Sequence, residues 1–164
     1  YRPARFPWRA VAPERYALRA IDQGIGRALW FVGGADPEVV ATLIERFPAS
    51  RHADLYSGAG LAATYAGGAD EQELAAFRER AGVYRPQVAQ GSVFAAEARV
   101  RAGLVVPDTG LATRVLCGLT PEQAAAVSRA TRPDGSSQRG EPPAYEIWRQ
   151  RIASEVLHAG GVST

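Results

Sequence analysis

Three polar residues recur at one spacing, and their side chains could transfer a proton or orient a polar ligand. Asp22, Tyr56 and Gln90 follow one another at intervals of 34 residues. A carboxylate and a phenol can exchange protons with a substrate, and an amide can hold one by hydrogen bonds. Asp22 and Tyr56 are therefore candidate catalytic residues, and Gln90 is a candidate ligand-binding residue, in one shared groove. The alternative is a hydrogen-bonded seam between helices or a solvated face.

Three larger side chains are candidates for holding a ligand beside this polar row. Arg27 follows Asp22 by about one helical turn. Trp30 and Tyr65 are large aromatic residues close to glycine-containing segments. A tunnel lined by Tyr56, Tyr65 and Trp30 would indicate that the protein handles an apolar ligand. A solid core with a flat apolar face would instead indicate a scaffold.

The composition excludes several kinds of catalytic chemistry. All 19 basic residues are Arg, so a Schiff-base lysine and the lysine of a phosphate-binding loop are impossible. One Cys and two His residues are too few for a disulfide, a Cys-based zinc site or a His cluster. We expect no metal and no cofactor. Cys117 has apolar neighbours in the sequence, which predicts a buried, unreactive thiol.

An internal repeat of about 34 residues indicates how the chain positions these side chains. Gly24 and Gly26 correspond to Gly58 and Gly60, and the segment GGAD occurs at both 33–36 and 67–70. Self-similarity at such a period is typical of stacked helical hairpins. We therefore predict an all-α fold of stacked helical hairpins with repeats of about 34 residues, similar to a solenoid.

Helix starts and ends follow from capping signals and from apolar residues spaced three and four apart. Asp36, Asp70 and Thr120 each precede a helical pattern and are predicted to be N-caps. Glycine pairs and Pro48 mark helix ends. The predicted helices cover residues 13–32, 37–47, 54–65, 70–80, 88–102, 109–116, 121–131 and 144–159.

The helices are expected to form one domain with an arm, a loop and a tail. Residues 1–12 read as an extended arm of arginine and aromatic residues, and residues 13–131 as the helical repeat region. Residues 132–143 are rich in Pro, Gly and Ser and predict a loop, followed by a C-terminal helix and tail over 144–164. No apolar run is long enough for a membrane span, and a net charge of +2 does not indicate nucleic-acid binding. We expect a cytoplasmic protein.

Glycines inside predicted helices need a compensating role. Each should cost about 1 kcal/mol relative to Ala in a helix interior. A nucleotide-binding turn at Gly58 and Gly60 would require a preceding strand, which the polar residues before it do not predict. The main interpretation is close approach of a neighbouring helix, and the alternative is room for a ligand beside the bare backbone.

Five segments of the sequence carry a resemblance to a known family. They are IDQGIGRALWFV at 21–32, ADLYSGAGLA at 53–62, YAGG at 65–68, RPQVAQG at 85–91 and AYEIWRQR at 144–151. Together they resemble the UnbL-type proteins of enediyne antibiotic gene clusters, also known as domain of unknown function 1702. Members of that family are longer, and this chain, which contains no Met, is similar to their C-terminal half.

The resemblance implies a place in enediyne antibiotic biosynthesis, and the use of arginine without lysine also suits an actinobacterial source with a GC-rich genome. The resemblance implies a protein that acts on or holds the polyene or polyketide-derived intermediate during core formation, with an apolar, polyene-like small molecule as ligand. The alternative is a helical scaffold that assembles other biosynthetic proteins. Because a cut helical array exposes a face, we expect the N-terminal half of the same precursor, or a second copy, to cover the first helix.

Overall fold

The structure, a computed structural model, describes residues 14–134 and 142–159, and every regular element in these ranges is helical. None of the described helices is long and apolar enough to cross a membrane. The predicted arm, most of the predicted loop and the tail from residue 160 lie outside the described residues. The elements are α1 (Glu14–Val32), α2 (Pro37–Glu45), α3 (Ala49–Ala66), α4 (Glu71–Arg80), a 3-10 turn (Gly82–Tyr84), α5 (Arg85–Ala102), α6 (Pro107–Cys117), α7 (Pro121–Ala130) and α8 (Ala144–Ala159).

The three predicted N-caps are confirmed. The Asp36 carboxylate accepts hydrogen bonds from two amides in the first turn of α2. Asp70 and Thr120 form reciprocal capping boxes with Glu73 and Gln123, in which each side chain bonds the other residue's backbone. Such caps satisfy backbone N–H groups that have no partner inside the helix, so short polar motifs set these starts locally.

The start of α3 differs from the sequence prediction. The helix begins at Ala49, directly after Pro48, instead of at Asp54. The polar residues Arg51 and His52 therefore belong to the helix and not to a turn. Their side chains find partners on other elements, because Arg51 pairs with Asp22 and the His52 ring lies against Tyr84. These tertiary contacts make helical geometry favourable for a segment whose composition is typical of a turn.

Three long helices, α1, α3 and α5, form a layer on which the other described helices pack. Helix α1 packs on α3, and α3 packs on α5. Gln23 of α1 contacts Asp54 of α3, and Trp30 near the end of α1 contacts Gly67 at the end of α3. Residue numbers therefore rise in the same direction along α1 and α3, so these two helices are parallel. Helices α6, α7 and α8 all contact α5. The order in which α1 packs on α3 and α3 packs on α5 therefore does not continue beyond α5.

Glycines make this layer tight. A Cβ atom on Gly26 would lie 2.0 Å from the carbonyl oxygen of Leu55, and one on Gly58 would lie 2.1 Å from that of Gln23. The same arrangement joins α3 to α5 through Gly60 and Gly91. The interpretation that these glycines allow close helix packing is confirmed, because no larger residue fits against a neighbouring backbone at such distances.

Candidate functional site

The glycine contacts fix the true register of the repeat, and this register corrects the predicted polar row. Gly58 lies against the backbone of Gln23, and Gly91 lies against the backbone of Ser57. Gln23 and Ser57, whose backbones these glycines contact, are 34 positions apart, whereas Gly58 and Gly91 are 33 positions apart. The second repeat is therefore one residue shorter, and Gln90 corresponds to Ser57 instead of Tyr56.

The structure gives Asp22 and Tyr56 separate partners. Asp22 accepts a hydrogen bond of 3.1 Å from Nε of Arg51 on α3. Tyr56 is buried, stacks on Tyr84 at 5.6 Å between ring centroids and contacts Phe77. Burial raises the pKa of the Tyr56 phenol to about 12, which opposes its ionisation at neutral pH. Within the described residues, no hydrogen bond or ring contact joins Asp22 to Tyr56.

The predicted ligand contacts are also dispersed. Trp30 is fully buried and donates an indole hydrogen bond of 3.1 Å to the carbonyl oxygen of Gly67. Tyr65 is on the surface with the guanidinium of Arg99 4.1 Å from its ring centre, and Arg27 is exposed. Since Trp30 belongs to the core and Tyr65 to the surface, the two do not line one tunnel.

Gln90 lies beside the buried charge network, defined here as the buried residues Asp54, Glu146 and Arg149 together with Arg19, whose side chain is 40% exposed. Arg149 Nη1 lies 2.7 Å from Asp54 Oδ1 and 2.8 Å from Glu146 Oε2. Arg19 bonds the other oxygen of each acid, at 2.9 Å to Asp54 Oδ2 and 2.8 Å to Glu146 Oε1. Two cations and two anions balance, and together they connect α1, α3 and α8.

The corrected polar row, which consists of Gln23, Ser57 and Gln90, lies around the buried charge network. Gln90 Oε1 accepts hydrogen bonds from Ser57 Oγ at 2.7 Å and from Arg149 Nε at 3.1 Å. Gln23 Nε2 donates to Asp54 Oδ1 at 3.0 Å. Buried charges are tolerated when they are paired and hydrogen-bonded in this way. The arrangement can therefore fix α8 against the α1–α3–α5 layer, and it holds no excess charge for catalysis.

The sequence contained a signal for Arg149 that the repeat-based reasoning missed. In α8 the apolar residues Tyr145, Trp148 and Ile152 recur at helical spacing, and Arg149 lies within the same arc. A charged residue inside an apolar arc indicates a buried ion pair. Glu146, one turn earlier, is its partner. Asp54 had no such signal, because its partners are distant in sequence.

A second candidate site is a cavity on the protein surface. The arginine groove, defined here by Arg78, Arg85 and Arg114, is a surface cavity of about 490 Å³. Its remaining wall is largely apolar, with Val83 and Leu157 among the lining residues. The three guanidiniums come from α4, α5 and α6, while Leu157 comes from α8. A cavity of this size that combines apolar walls with few charged groups suits a small molecule.

The arginine groove has an excess of positive charge. Glu79 pairs with both Arg78 and Arg85 and is itself largely exposed. Arg114 is exposed and forms no ion pair within residues 14–134 and 142–159. Guanidiniums bind carboxylates and phosphates through paired N–H donors. The groove can therefore bind the acidic head of a molecule whose apolar part lies along Val83 and Leu157.

Cys117 lies beneath the groove and should be inert. Cys117 is 4% exposed, its thiol donates toward the carbonyl oxygen of Ala89 at 3.5 Å, and burial raises the pKa of the thiol to about 12. We expect its reaction with Ellman's reagent at pH 8 to be at least about a hundredfold slower in the folded protein than in urea. Absorbance of the released thiolate measures both rates, and equal rates would contradict the burial.

The described residues contain no cluster of three or more His, Cys, Asp or Glu side chains that could hold a metal ion.

No curated protein and no solved structure matches the sequence. A family model described as "Protein of unknown function (DUF1702)" matches residues 1–156. Because this match covers nearly the whole sequence, the chain belongs to the DUF1702 family.

Proposed function

We propose that the protein binds an anionic, apolar-tailed intermediate of enediyne antibiotic biosynthesis in the arginine groove. The observation that carries the proposal is the convergence of Arg78, Arg85 and Arg114 on one cavity with an apolar wall. A polyketide-derived chain that ends in a carboxylate or a phosphate-bearing carrier has this combination of charge and apolar surface. The resemblance of the sequence to UnbL-type proteins supports the pathway, the actinobacterial source and the cytoplasmic location.

Holding the intermediate fits the described residues better than catalysis by Asp22 and Tyr56. Asp22 is engaged by Arg51, and the Tyr56 phenol is enclosed among aromatic rings. Neither residue lines the arginine groove. A binding protein needs only a charged anchor and an apolar wall, and it can keep a reactive unsaturated chain away from water.

The proposal includes the architecture that supports the groove. We propose that α1 to α5 are stacked helical hairpins of a short solenoid, which α6 to α8 terminate. The repeated glycine contacts between α1 and α3 and between α3 and α5 support this view. The arginine groove lies where the terminating helices α6 and α8 meet the end of α4 and the start of α5. Loss of repeat symmetry at this end leaves room for a cavity.

A conjugated tetraene fatty acid, whose fluorescence rises when it leaves water, tests the binding proposal. We expect saturable binding that weakens about tenfold or more in Arg114→Gln, because a charge-assisted hydrogen bond contributes about 1.5–3 kcal/mol. Arg114 is the arginine of the groove best suited to this test, since replacing it leaves no described acid without its ion-pair partner.

Two controls separate specific binding from nonspecific adsorption. Arg101→Gln removes an exposed charge outside the groove and should leave the affinity unchanged. The methyl ester of the same tetraene lacks the anionic head and should bind at least about tenfold more weakly. Equal affinity of acid and ester, or no effect of Arg114→Gln, would contradict the proposal.

The second candidate function is a helical scaffold for other biosynthetic proteins. It is favoured by Leu104, Val105 and Val106, which form the connection between α5 and α6 and remain 40–56% exposed. Three consecutive exposed apolar side chains are unusual unless a partner covers them. Failure of the tetraene titration together with binding of a purified pathway protein, lost in Val105→Glu, would favour the scaffold.

A further inference from the structure

The charge of the arginine groove indicates which head group it suits. Arg78, Arg85 and Arg114 line the cavity, and none of its described lining residues is acidic. Glu79, which is not a lining residue, pairs with Arg78 and Arg85. Three positive charges and one negative charge leave an excess of two positive charges at the groove. A carboxylate or a phosphodiester carries a single negative charge, so either would neutralise only half of this excess.

The three arginines also keep N–H groups that a ligand can use. Arg85 donates from Nε to the carbonyl oxygen of Arg78 at 3.2 Å and from Nη2 to Glu79, which leaves Nη1 without a described partner. Arg78 bonds Glu79 through Nη1 alone, at 3.4 Å. Arg114 pairs with none of the described acids. Because a guanidinium has five N–H donors, each of the three can still bind an oxygen of a ligand.

Glu79 holds Arg78 and Arg85 together without filling the groove. Its carboxylate offsets part of the repulsion between the two guanidiniums, and its own side chain is 62% exposed. Exposed ion pairs contribute little to stability because water screens them, so a ligand of higher charge can compete for the same arginines. The cavity is open and its charges are already in place, which lowers the cost of binding.

We propose that the head group bound in the arginine groove is a phosphate monoester, and this assignment rests on the binding function proposed above. At neutral pH such a group carries about 1.5–2 negative charges and three acceptor oxygens, whereas a carboxylate has one charge and two oxygens. The phosphate thus matches both the excess charge and the number of guanidiniums. The apolar part of the molecule lies along Leu157 and along Val83, which is 82% exposed and gains most from being covered. The ligand class is therefore an apolar chain that ends in a phosphate.

Isothermal titration calorimetry at pH 8 tests the assignment with four ligands. Decyl phosphate is a dianion at this pH, since the second pKa of a phosphate monoester is about 6. Methyl decyl phosphate and undecanoate carry the same ten-carbon chain on a monoanionic head, and inorganic phosphate has no chain. We expect decyl phosphate to bind at least about tenfold more tightly than each of the other three.

Variants of the charged residues test whether the excess charge produces this preference. Arg114→Gln lowers the excess from two charges to one, so the preference for decyl phosphate over methyl decyl phosphate should fall at least about threefold. Glu79→Gln raises the excess to three and should tighten decyl phosphate binding at least about threefold. Glu71→Gln is the matched control, because it removes an exposed acid from the first turn of α4, at the opposite end of that helix, and should change neither value.

The outcomes separate the phosphate assignment from the binding function on which it rests. Undecanoate or methyl decyl phosphate binding as tightly as decyl phosphate would overturn the assignment and leave the binding function in place. An unchanged preference in Arg114→Gln would overturn it as well, and so would weaker binding of decyl phosphate in Glu79→Gln. Inorganic phosphate binding as tightly as decyl phosphate would overturn the apolar chain as part of the ligand. Failure of all four ligands to bind would overturn both proposals.

Discussion

Replacing Gly58 by Ala is expected to lower the free energy of unfolding by about 3 kcal/mol or more. The added Cβ would lie 2.1 Å from the carbonyl oxygen of Gln23, so two helix backbones must separate. Overpacking usually costs about 1–3 kcal/mol, and backbone cannot move aside as a flexible side chain can. Gly26→Ala and Gly60→Ala should behave alike, since their added Cβ atoms would lie 2.0 and 2.3 Å from backbone oxygens.

Gly24→Ala is the matched control, because it occupies the same position in the first repeat. No described atom lies within 4 Å of its added Cβ, so only helix propensity changes and stability should rise by up to about 1 kcal/mol. Urea denaturation followed by circular dichroism measures the free energy of unfolding of both variants. Equal effects of Gly24→Ala and Gly58→Ala would show that the close helix contact does not determine stability.

Replacing Arg149 by Met is expected to destabilise the fold by about 3–5 kcal/mol. Arg149 is 4% exposed, and its guanidinium bridges the carboxylates of Asp54 and Glu146. Met has a similar length but cannot neutralise them, and Arg19 alone would remain for two acids. Arg149→Lys should cost less, because it keeps the charge and loses the paired geometry that also reaches Gln90.

Arg129→Met provides the control for the loss of an arginine from an ion pair. Arg129 bonds Glu97 at 2.9 Å, but its side chain is 54% exposed. Water replaces such a partner easily, so the loss should stay below about 1 kcal/mol. The denaturant midpoints of Arg149→Met, Arg149→Lys and Arg129→Met measure these losses of stability. A small effect at Arg149, similar to that at Arg129, would mean that water already reaches the buried charge network.

Several local features of the fold were predictable from the sequence alone, although the start of α3 was not. The caps at Asp36, Asp70 and Thr120 were predictable because a side chain and the amides it bonds are within three residues of each other. Glycines at one spacing indicated close helix packing, since a missing Cβ within a helix otherwise only costs stability. The burial of Cys117 was predictable from its apolar neighbours, and its low reactivity stays a prediction.

Only the tertiary structure decided the register of the polar row and the members of the candidate sites. The step from α3 to α5 is one residue shorter than the step from α1 to α3, and one residue turns a side chain by about 100° around its helix. Gln90 therefore meets Ser57 instead of aligning with Tyr56. The one-residue difference depends on which backbone each glycine contacts, and sequence spacing does not record those contacts.

The long-range partnerships have the same physical origin. Asp54 and Arg149 are 95 residues apart, and Arg78, Arg85, Arg114 and Leu157 reach one groove from four helices. Coulomb attraction and apolar burial act on distances in space, which depend on how every intervening helix packs. The sequence determined that this chain would be helical and where several helices begin, and it identified Gly26, Gly58 and Gly60 as packing glycines, whereas Gly24 contacts no described atom and Gly91 was not identified. The packing of α6 and α8 against the layer decided which charges became buried and which remained exposed to solvent.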